Sequence, residues 1–371
     1  MMNIQKYLFS FPSIKEGIEK LKECYHINVK EYDNLYCFKY NQIESTKTDP
    51  IVQECRGLIL DKFGNIVCRP FDRFFNYGEI ESNKSFDFSK ATILSKEDGS
   101  LLKVYFYDNK WNVGTSGTAF AESDCSIGVP FLSLVERVLG KSINLFMMNC
   151  PDDFKDYTFL FELTVPENRV VKPYHSENMF LIGIRNNITG KYKSFSDMKW
   201  IIENCFNHKN VKLPKKYDIN SFEEVQELFD SLNEMDEGVV CWNEDTGERI
   251  KIKTPSYIHF HHLRDNGILN PKRISELVYL QDYEEYLNAF PEDKIYFIPY
   301  ISAYSSLLLD INTIYEEYKD IKNQKEFALN VIKYPFNSIL FQMRKGEDLY
   351  KCLKLLNSDK KLSLLENYLK K

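Results

Sequence analysis

The sequence predicts an α+β protein, with two antiparallel sheets framing a cleft, followed along the chain by an all-helical C-terminal domain. Three observations lead there. From about residue 90 to 260, short segments rich in aliphatic and aromatic residues, such as Tyr157–Leu163, alternate with turns and read as strands. After Asn270-Pro271 the period changes: Ile274, Leu277, Val278 and Leu280 recur at helical spacing, as do Leu353, Leu355 and Leu356 with Leu362, Leu364 and Leu365. No second strand-rich module follows Lys253.

The elements follow in order. An amphipathic helix is expected over Ile14–Lys22, then strands at Leu35–Tyr40 and Gly57–Leu60. Strands at Ala91–Leu94 and Leu101–Tyr107 flank a turn, and helices are expected at Gly128–Leu139, Ser196–Cys205 and Ser221–Leu232, the last opened by a serine cap. In the tail, Tyr304–Leu309, Ile311, Ile314 and Tyr318 read as one long amphipathic helix. Two domains are expected: residues 1–264, with 1–90 as an N-terminal subregion, and the helical 265–371.

At 371 residues, 43% hydrophobic and 15% aromatic, the chain suits a packed globular protein and excludes disorder. Its net charge of −6 gives no global basic field, so any grip on nucleic acid must come from local patches. The segment from Arg264 onward is neutral, which leaves the acidic excess on the first domain. Nine cysteines without a Cys-x-x-Cys pair, and no signal peptide, read as reduced thiols of a cytoplasmic protein. Cys55 reads as a small packing residue. No apolar stretch has transmembrane length, so no membrane partner is expected. His259, His261 and His262 could put two imidazoles on one strand face, but with no third ligand nearby they read as structural or RNA-facing. A phosphate loop of the Gly-x-x-x-x-Gly-Lys-Ser/Thr kind is absent.

The most informative run is Lys96-Glu97-Asp98-Gly99-Ser100, a Lys-x-Asp-Gly pattern between two strands. A lysine at such a strand lip can attack the α-phosphate of a nucleoside triphosphate and keep the nucleotide as a phosphoramidate. The amine must first lose its proton, so its pKa has to fall below the usual value near 10.4, with neighbouring cations as the ordinary means. Downstream, Glu162 sits in Tyr157–Leu163, a strand that reads as buried on both faces. A carboxylate there needs a ribose hydroxyl, a hydrated metal or an arginine such as Arg169. Glu237-Gly238-Val239-Val240 puts a second carboxylate at the mouth of an apolar strand, and Ile250-Lys251-Ile252-Lys253 puts two lysines on one strand face. That pair suits a triphosphate, or simply a half-exposed sheet. Upstream, Glu54-Cys55-Arg56-Gly57 and Arg69-Pro70-Phe71-Asp72-Arg73-Phe74-Phe75-Asn76 set arginines beside apolar strands, where guanidinium can grip phosphate or pair with carboxylates.

Taken in order, these runs resemble the covalent nucleotidyltransferases: ATP-dependent DNA and RNA ligases and mRNA-capping guanylyltransferases. Within that group the fuller Lys-Glu-Asp-Gly-Ser and Pro166-Glu167-Asn168-Arg169-Val170-Val171 patterns resemble the phage T4 RNA ligase 1 family, over roughly the first 260 residues. The resemblance implies a nucleotidyltransferase fold with sheets around an ATP cleft, and a helical tail that favours broken tRNA. It implies ATP-dependent joining of RNA 5′-phosphate and 3′-hydroxyl ends by a monomeric enzyme. It makes Lys96 the AMP-accepting nucleophile, with Lys251 and Lys253 catalytic. Arg56, Arg73, Phe75, Gly99, Glu162, Glu237, Lys251 and Lys253 would hold ATP. Glu162 and Glu237 would hold magnesium, or manganese in its place, through water. Two positions depart from the family. Arg73 stands where relatives carry lysine, and Ser116 stands where they carry a basic residue, with Lys103 and Lys172 as candidate substitutes. The alternatives are a DNA ligase, a capping enzyme, or a non-catalytic nucleotide- or RNA-binding relative.

Overall fold

A computed structural model describes residues 1–122, 128–263 and 269–369. The chain forms two compact units, Met1–Ile258 and His259–Lys371. The expected boundary at residues 264–265 lies outside the described residues.

The first unit holds thirteen strands among its described residues. They are β1 (Ile27–Glu31), β2 (Leu35–Tyr40), β3 (Arg56–Asp61), β4 (Ile66–Cys68), β5 (Ala91–Ser95), β6 (Ser100–Tyr107) and β7 (Lys110–Thr115). Then come β8 (Tyr157–Thr164), β9 (Asn178–Asn186), β10 (Val211–Lys212), β11 (Lys216–Tyr217), β12 (Gly238–Asn243) and β13 (Arg249–Lys253). They build three sheets, in the orders β1-β2-β3-β4, β10-β9-β8-β6-β7 and β11-β5-β12-β13. Every pairing is antiparallel except β10 with β9. The N-terminal strands thus make a sheet of their own.

Each sheet buries an apolar face. The N-terminal sheet packs Phe38, Leu58 and Leu60 against Ile4, Leu8, Ile18 and Leu21 of the first two helices. The second of these runs Ile14–Tyr25, starting where the Ser13 hydroxyl accepts the Glu16 N–H and ending at His26 in the left-handed region. The sheet's other face packs Leu35, Cys37 and Ile59 against Tyr105 and Ala119. The central sheet buries Phe159, Phe161 and Leu181 under Val135, Val138, Met198 and Phe206. The third sheet lies against Val225 of the helix Phe222–Ser231, capped by Ser221 as expected.

One irregularity positions a side chain that matters below. Phe38 pairs with Leu58 but Lys39 pairs with Arg56, so Gly57 is the extra residue of a bulge, with φ of +90°. The bulge shifts the alternation. Leu58 and Leu60 face the helices, while Arg56 turns to the face shared by Lys39 and the central sheet. A Cβ at position 57 would lie 2.8 Å from the Ser116 carbonyl oxygen, so both the backbone angle and the space demand glycine.

Some expected elements move. The helix expected from Gly128 begins at Phe131, because Gly128 has φ of +71° and Pro130 occupies the cap. The helix expected to Cys205 is α-helical only over Phe195–Ile201 and widens into a π-turn at Ile202–Phe206. His259, His261 and His262 lie on a helix, Pro255–Leu263, not on a strand. Pro255 favours a helix start, and the Thr254 hydroxyl accepts the Tyr257 N–H at 3.1 Å. Among the described residues no cluster of three metal-ligating side chains occurs, and no helix is long and apolar enough to cross a membrane.

The second unit is helical throughout its regular structure. The expected long helix runs from Lys294 to Tyr318, with Pro299 near its start. It and Pro271–Leu280 pack against Ser358–Leu369, burying Leu277, Val278, Leu307, Ile311, Leu364 and Leu365. Leu280 and Leu355, expected in the apolar stripe, are exposed.

Candidate active site

Lys96 leaves the end of β5, and its backbone N–H donates to the Gly238 carbonyl at 2.9 Å. That bond continues the β5–β12 ladder by one residue beyond the Ser95–Val239 pair. The register of β12 with β13 then sets Gly238 opposite Lys253, Val240 opposite Lys251 and Trp242 opposite Arg249. Lys96, Glu237 and Lys253 therefore converge at one end of the sheet. The Lys96 ammonium lies 2.5 Å from one Glu237 oxygen, and the Lys253 ammonium lies 2.9 Å from the other.

Glu162 approaches from the central sheet. It is the single partly exposed residue in the interior of β8, opposite Leu101, and one carboxylate oxygen accepts the Gly99 N–H at 3.1 Å. Its other oxygen has no donor among the described residues. Lys96, Glu162, Glu237, Lys251, Lys253 and Arg56 line one cavity of about 150 Å³, completed by Phe74, Leu94, Ile182, Val240 and Arg249. A wider cleft of about 650 Å³ shares Phe71, Phe74 and Arg249 with it and carries Arg73 and Phe75.

The expected ATP-holding set is thus split. Phe75 is buried against the Arg73 guanidinium, 4.8 Å from ring to charge, and does not line the Lys96 cavity. Phe74 does, with Arg56 5.1 Å and Lys251 5.9 Å from its ring. Arg73 donates to the Tyr40 hydroxyl and pairs with Glu79 at 2.9 Å, again outside the cavity. Gly99 contributes its N–H to Glu162. Ser116 offers its backbone carbonyl beside Gly57. Neither candidate substitute for a basic residue there reaches the cavity. Lys103 is buried, donating to the Gly57 carbonyl and to Cys37 Sγ, and Lys172 pairs with Asp236 at 2.7 Å.

Two features escaped the sequence reading. Arg249 continues the Lys251, Lys253 face, and the alternation Arg-x-Lys-x-Lys could have revealed it. Its guanidinium sits among the rings of Phe71, Tyr192 and Trp242 at 3.9–4.8 Å. Asp98, the acid of the Lys-x-Asp-Gly run, is structural. It accepts the N–H groups of Val171 and Lys172 at 2.8 and 2.7 Å and the Tyr257 hydroxyl at 2.7 Å. The Lys96 turn is thereby tied to the Pro166–Val171 run, where Asn168 also donates to the Ser100 hydroxyl at 2.7 Å.

The electrostatics follow from this packing. Burial lowers the Lys96 pKa, but Glu237 and Glu162 outweigh it and the net direction is upward. Without nucleotide, then, the amine is held protonated, and the lowering that attack demands would need further cations at the site. Burial pushes Lys251 down to about 8, helped by Arg56, Lys96, Lys253 and Arg73. Burial pulls Arg249 down to about 10. The Glu237 carboxyl is lowered because Lys96 and Lys253 overcome its burial. Glu162 is raised to about 7, chiefly by burial, against the opposing pull of Lys96. The cavity therefore combines a cluster of costly cations with a carboxylate short of one, an arrangement fit for an anion that brings its own counter-cation.

Comparisons with known proteins show the family. A family model described as RNA ligase matches residues 54–257. A protein provisionally named bifunctional polynucleotide kinase/RNA ligase, from Autographa californica nuclear polyhedrosis virus, is 30% identical over 374 residues. The match takes in 95% of this chain and 52% of that protein, so the chain spans about half the length of this relative. An RNA ligase of Rhodothermus phage RM378 is 26% identical, over 96% of this chain and 94% of its own. Among solved structures, an archaeal ATP-dependent RNA ligase (form 1) aligns with 100% of this chain and 99% of its own, at a TM-score of 0.51 and 11% identity. At that identity the likeness is one of fold.

The raised Glu162 makes a stability prediction. Its folded pKa, about 7, lies above the ordinary 4.5, so the folded state holds this proton more tightly than the unfolded state. The contribution to stability is complete below about pH 4.5 and is lost as pH rises through 7. Glu162→Gln should therefore gain stability relative to wild type between pH 5 and pH 8, by up to about 3 kcal/mol. Urea unfolding of both proteins at each pH measures it. A difference that stays flat or reverses would mean Lys96 keeps Glu162 ionised.

Proposed function

The chain belongs to the RNA ligase family of the phage T4 RNA ligase 1 type, and on that footing we propose that it joins RNA 5′-phosphate and 3′-hydroxyl ends using ATP. The observation that carries the reading is the convergence of Lys96, Glu237 and Lys253 within salt-bridge distance, in a cavity that also holds Lys251, Arg56 and Glu162.

Lys96 Nζ attacks the α-phosphorus of ATP, the bond to the β-phosphate oxygen breaks, and pyrophosphate leaves. The amine gives up its proton and holds AMP through a P–N bond. The RNA 5′-phosphate oxygen then attacks the same phosphorus and frees Lys96, leaving a 5′-5′ anhydride. The 3′-hydroxyl finally attacks the RNA 5′-phosphate, AMP departs, and the strand is sealed. Lys251 and Lys253, which share one face of β13, would stabilise the charge that builds on the phosphates. Before the first step Lys96 must release its ammonium proton to solvent, and any cation that takes its place at Glu237 and Glu162 would weaken their hold on that proton.

Glu162, with one oxygen free of protein donors, and Glu237 fit a divalent cation held through its water shell. Magnesium, or manganese in its place, would supply charge neutralisation at the α-phosphate. The unit from His259 onward is proposed to choose among RNA ends, with broken tRNA a preferred form.

Incubation with α-labelled ATP, then denaturing electrophoresis, should give covalent label, and Lys96→Arg should give none. A guanidinium remains protonated and cannot act as this nucleophile. Label from GTP instead would identify a capping enzyme, and label from neither would identify a non-catalytic relative. Lys251→Ala and Lys253→Ala should each slow labelling at least about tenfold. Wild-type rates in both would reduce β13 to sheet surface. A protein ending at residue 264 should, if soluble, still take label and seal linear strands while losing preference for a nicked stem-loop. An unchanged preference would give the helical unit a structural role only.

A further inference from the structure

We propose that the N-terminal sheet carries an RNA strand on a phosphate track made by Lys39 and Lys30, leading from the outer strand β1 toward Arg56 at the Lys96 cavity. The proposal rests on the RNA ligase reading and adds to it the path of the substrate.

The track follows from strand register. Arg56 of β3 pairs with Lys39 of β2, and Lys39 pairs with Asn28 of β1. Directly opposed residues present their side chains on the same sheet face, so these three form one row across the sheet. With strands about 4.8 Å apart, the row spans roughly 10 Å. Lys30, two residues beyond Asn28 on β1, lies on the same face and extends it. Arg56 stands in this row because of the bulge at Gly57, which turns it to the face Lys39 occupies. At the outer end lies an open groove of about 480 Å³, lined by Lys22, Lys30, Lys39, Asn28, Asn41 and Gly117. The Lys39 stem passes close over Gly117, where a Cβ would lie 3.3 Å from its Cδ, so the glycine leaves room for this lysine.

Charge identifies the occupant. Many exposed lysines of this chain are closed onto nearby carboxylates: Lys20 on Glu23, Lys84 on Glu81, Lys155 on Asp152, Lys351 on Glu347. Within the groove Lys22 is paired likewise with Glu19. Lys30 and Lys39 are not. Lys30 has only the Tyr32 ring at 5.6 Å, and Lys39 has no ion-pair partner among the described residues. The groove's carboxylate, Glu44, accepts from the Asn41 amide at 2.7 Å instead. In a chain with net charge −6, two neighbouring ammonium groups without carboxylate partners, with Asn28 between them and Arg56 in line, are donors for an anion from outside. A row of cations in line with a phosphate-transfer cavity matches the repeating charge of an RNA backbone. Such contacts fix the position of a strand without reading its sequence.

The test is the double variant K30Q/K39Q, with K20Q/K84Q, which removes two paired lysines, as the charge-matched control. Binding of a fluorescent 5′-phosphorylated RNA oligonucleotide is followed by anisotropy from low to high salt. Formation of the AMP adduct from ATP alone is followed in parallel. K30Q/K39Q should weaken RNA binding about tenfold at moderate salt and flatten the slope of log affinity against log salt by about 1.4, two contacts' worth on a single strand. Adduct formation should stay within about twofold of wild type, and the control should bind RNA like wild type. Three results would overturn the track: an unchanged slope in K30Q/K39Q, an equal loss in the control, or a lost adduct. Weakened binding in a protein that seals no ends would leave the track standing and remove the ligase reading. Unaltered binding in a protein that does seal would do the reverse.

Discussion

Glu237, buried between two ammonium groups, is the interaction on which the rest of the site depends. A carboxylate so removed from water would cost several kcal/mol unpaired. Lys96 and Lys253 stabilise it from opposite oxygens, and the three groups hold one another's geometry. The same clamp keeps Lys96 protonated when no nucleotide is bound. The ligand-free cavity is therefore a stable ion cluster with a protonated lysine at its centre. An anion would suit Lys251 and Lys253, and a cation would suit Glu162 and Glu237. On the proposed reading, a metal-bound nucleoside triphosphate brings both.

Around this clamp, the scaffold works by tying short polar runs to sheet ends. Asp98 spends its carboxylate on two backbone N–H groups and a tyrosine hydroxyl, so the turn after Lys96 is fixed by the segment that follows β8. Glu162 comes from the strand beside β6 and meets the same turn through the Gly99 N–H. The two sheets that face the cavity thus share one loop. Arg56 reaches it from the N-terminal sheet only because Gly57 breaks the alternation of β3. The cavity is built where irregular backbone, close packing and buried charge coincide, and each of these would destabilise the fold without its partners.

The chain's charge distribution divides the labour further. On the proposed reading an acidic protein must bind a polyanion through local groups of cations, and two lines of them stand out. One is the Arg249, Lys251, Lys253 face of β13 inside the cavity. The other is the row from Arg56 through Lys39 on the N-terminal sheet. Elsewhere several lysines are paired with carboxylates three or four residues away along the chain.

The sequence by itself determined the α+β class, the helical tail and the order of Lys96, Glu162, Glu237, Lys251 and Lys253. These are local properties: periodicity marks a strand or helix, and a charged residue inside an apolar run stands out wherever the chain goes. It could not decide which charges meet. That Glu237 joins Lys96 to Lys253, that Phe74 and not Phe75 lines the cavity, and that Asp98 is structural all depend on strand register and on one bulge. A single-residue shift in pairing sends every side chain to the opposite face, and no local signal fixes it. The charge balance at Lys96 in the ligand-free chain depends on the same packing. Its cations were legible as residues, but two carboxylates packed nearer settle the balance, and Coulomb energies depend on distances that only the folded chain defines.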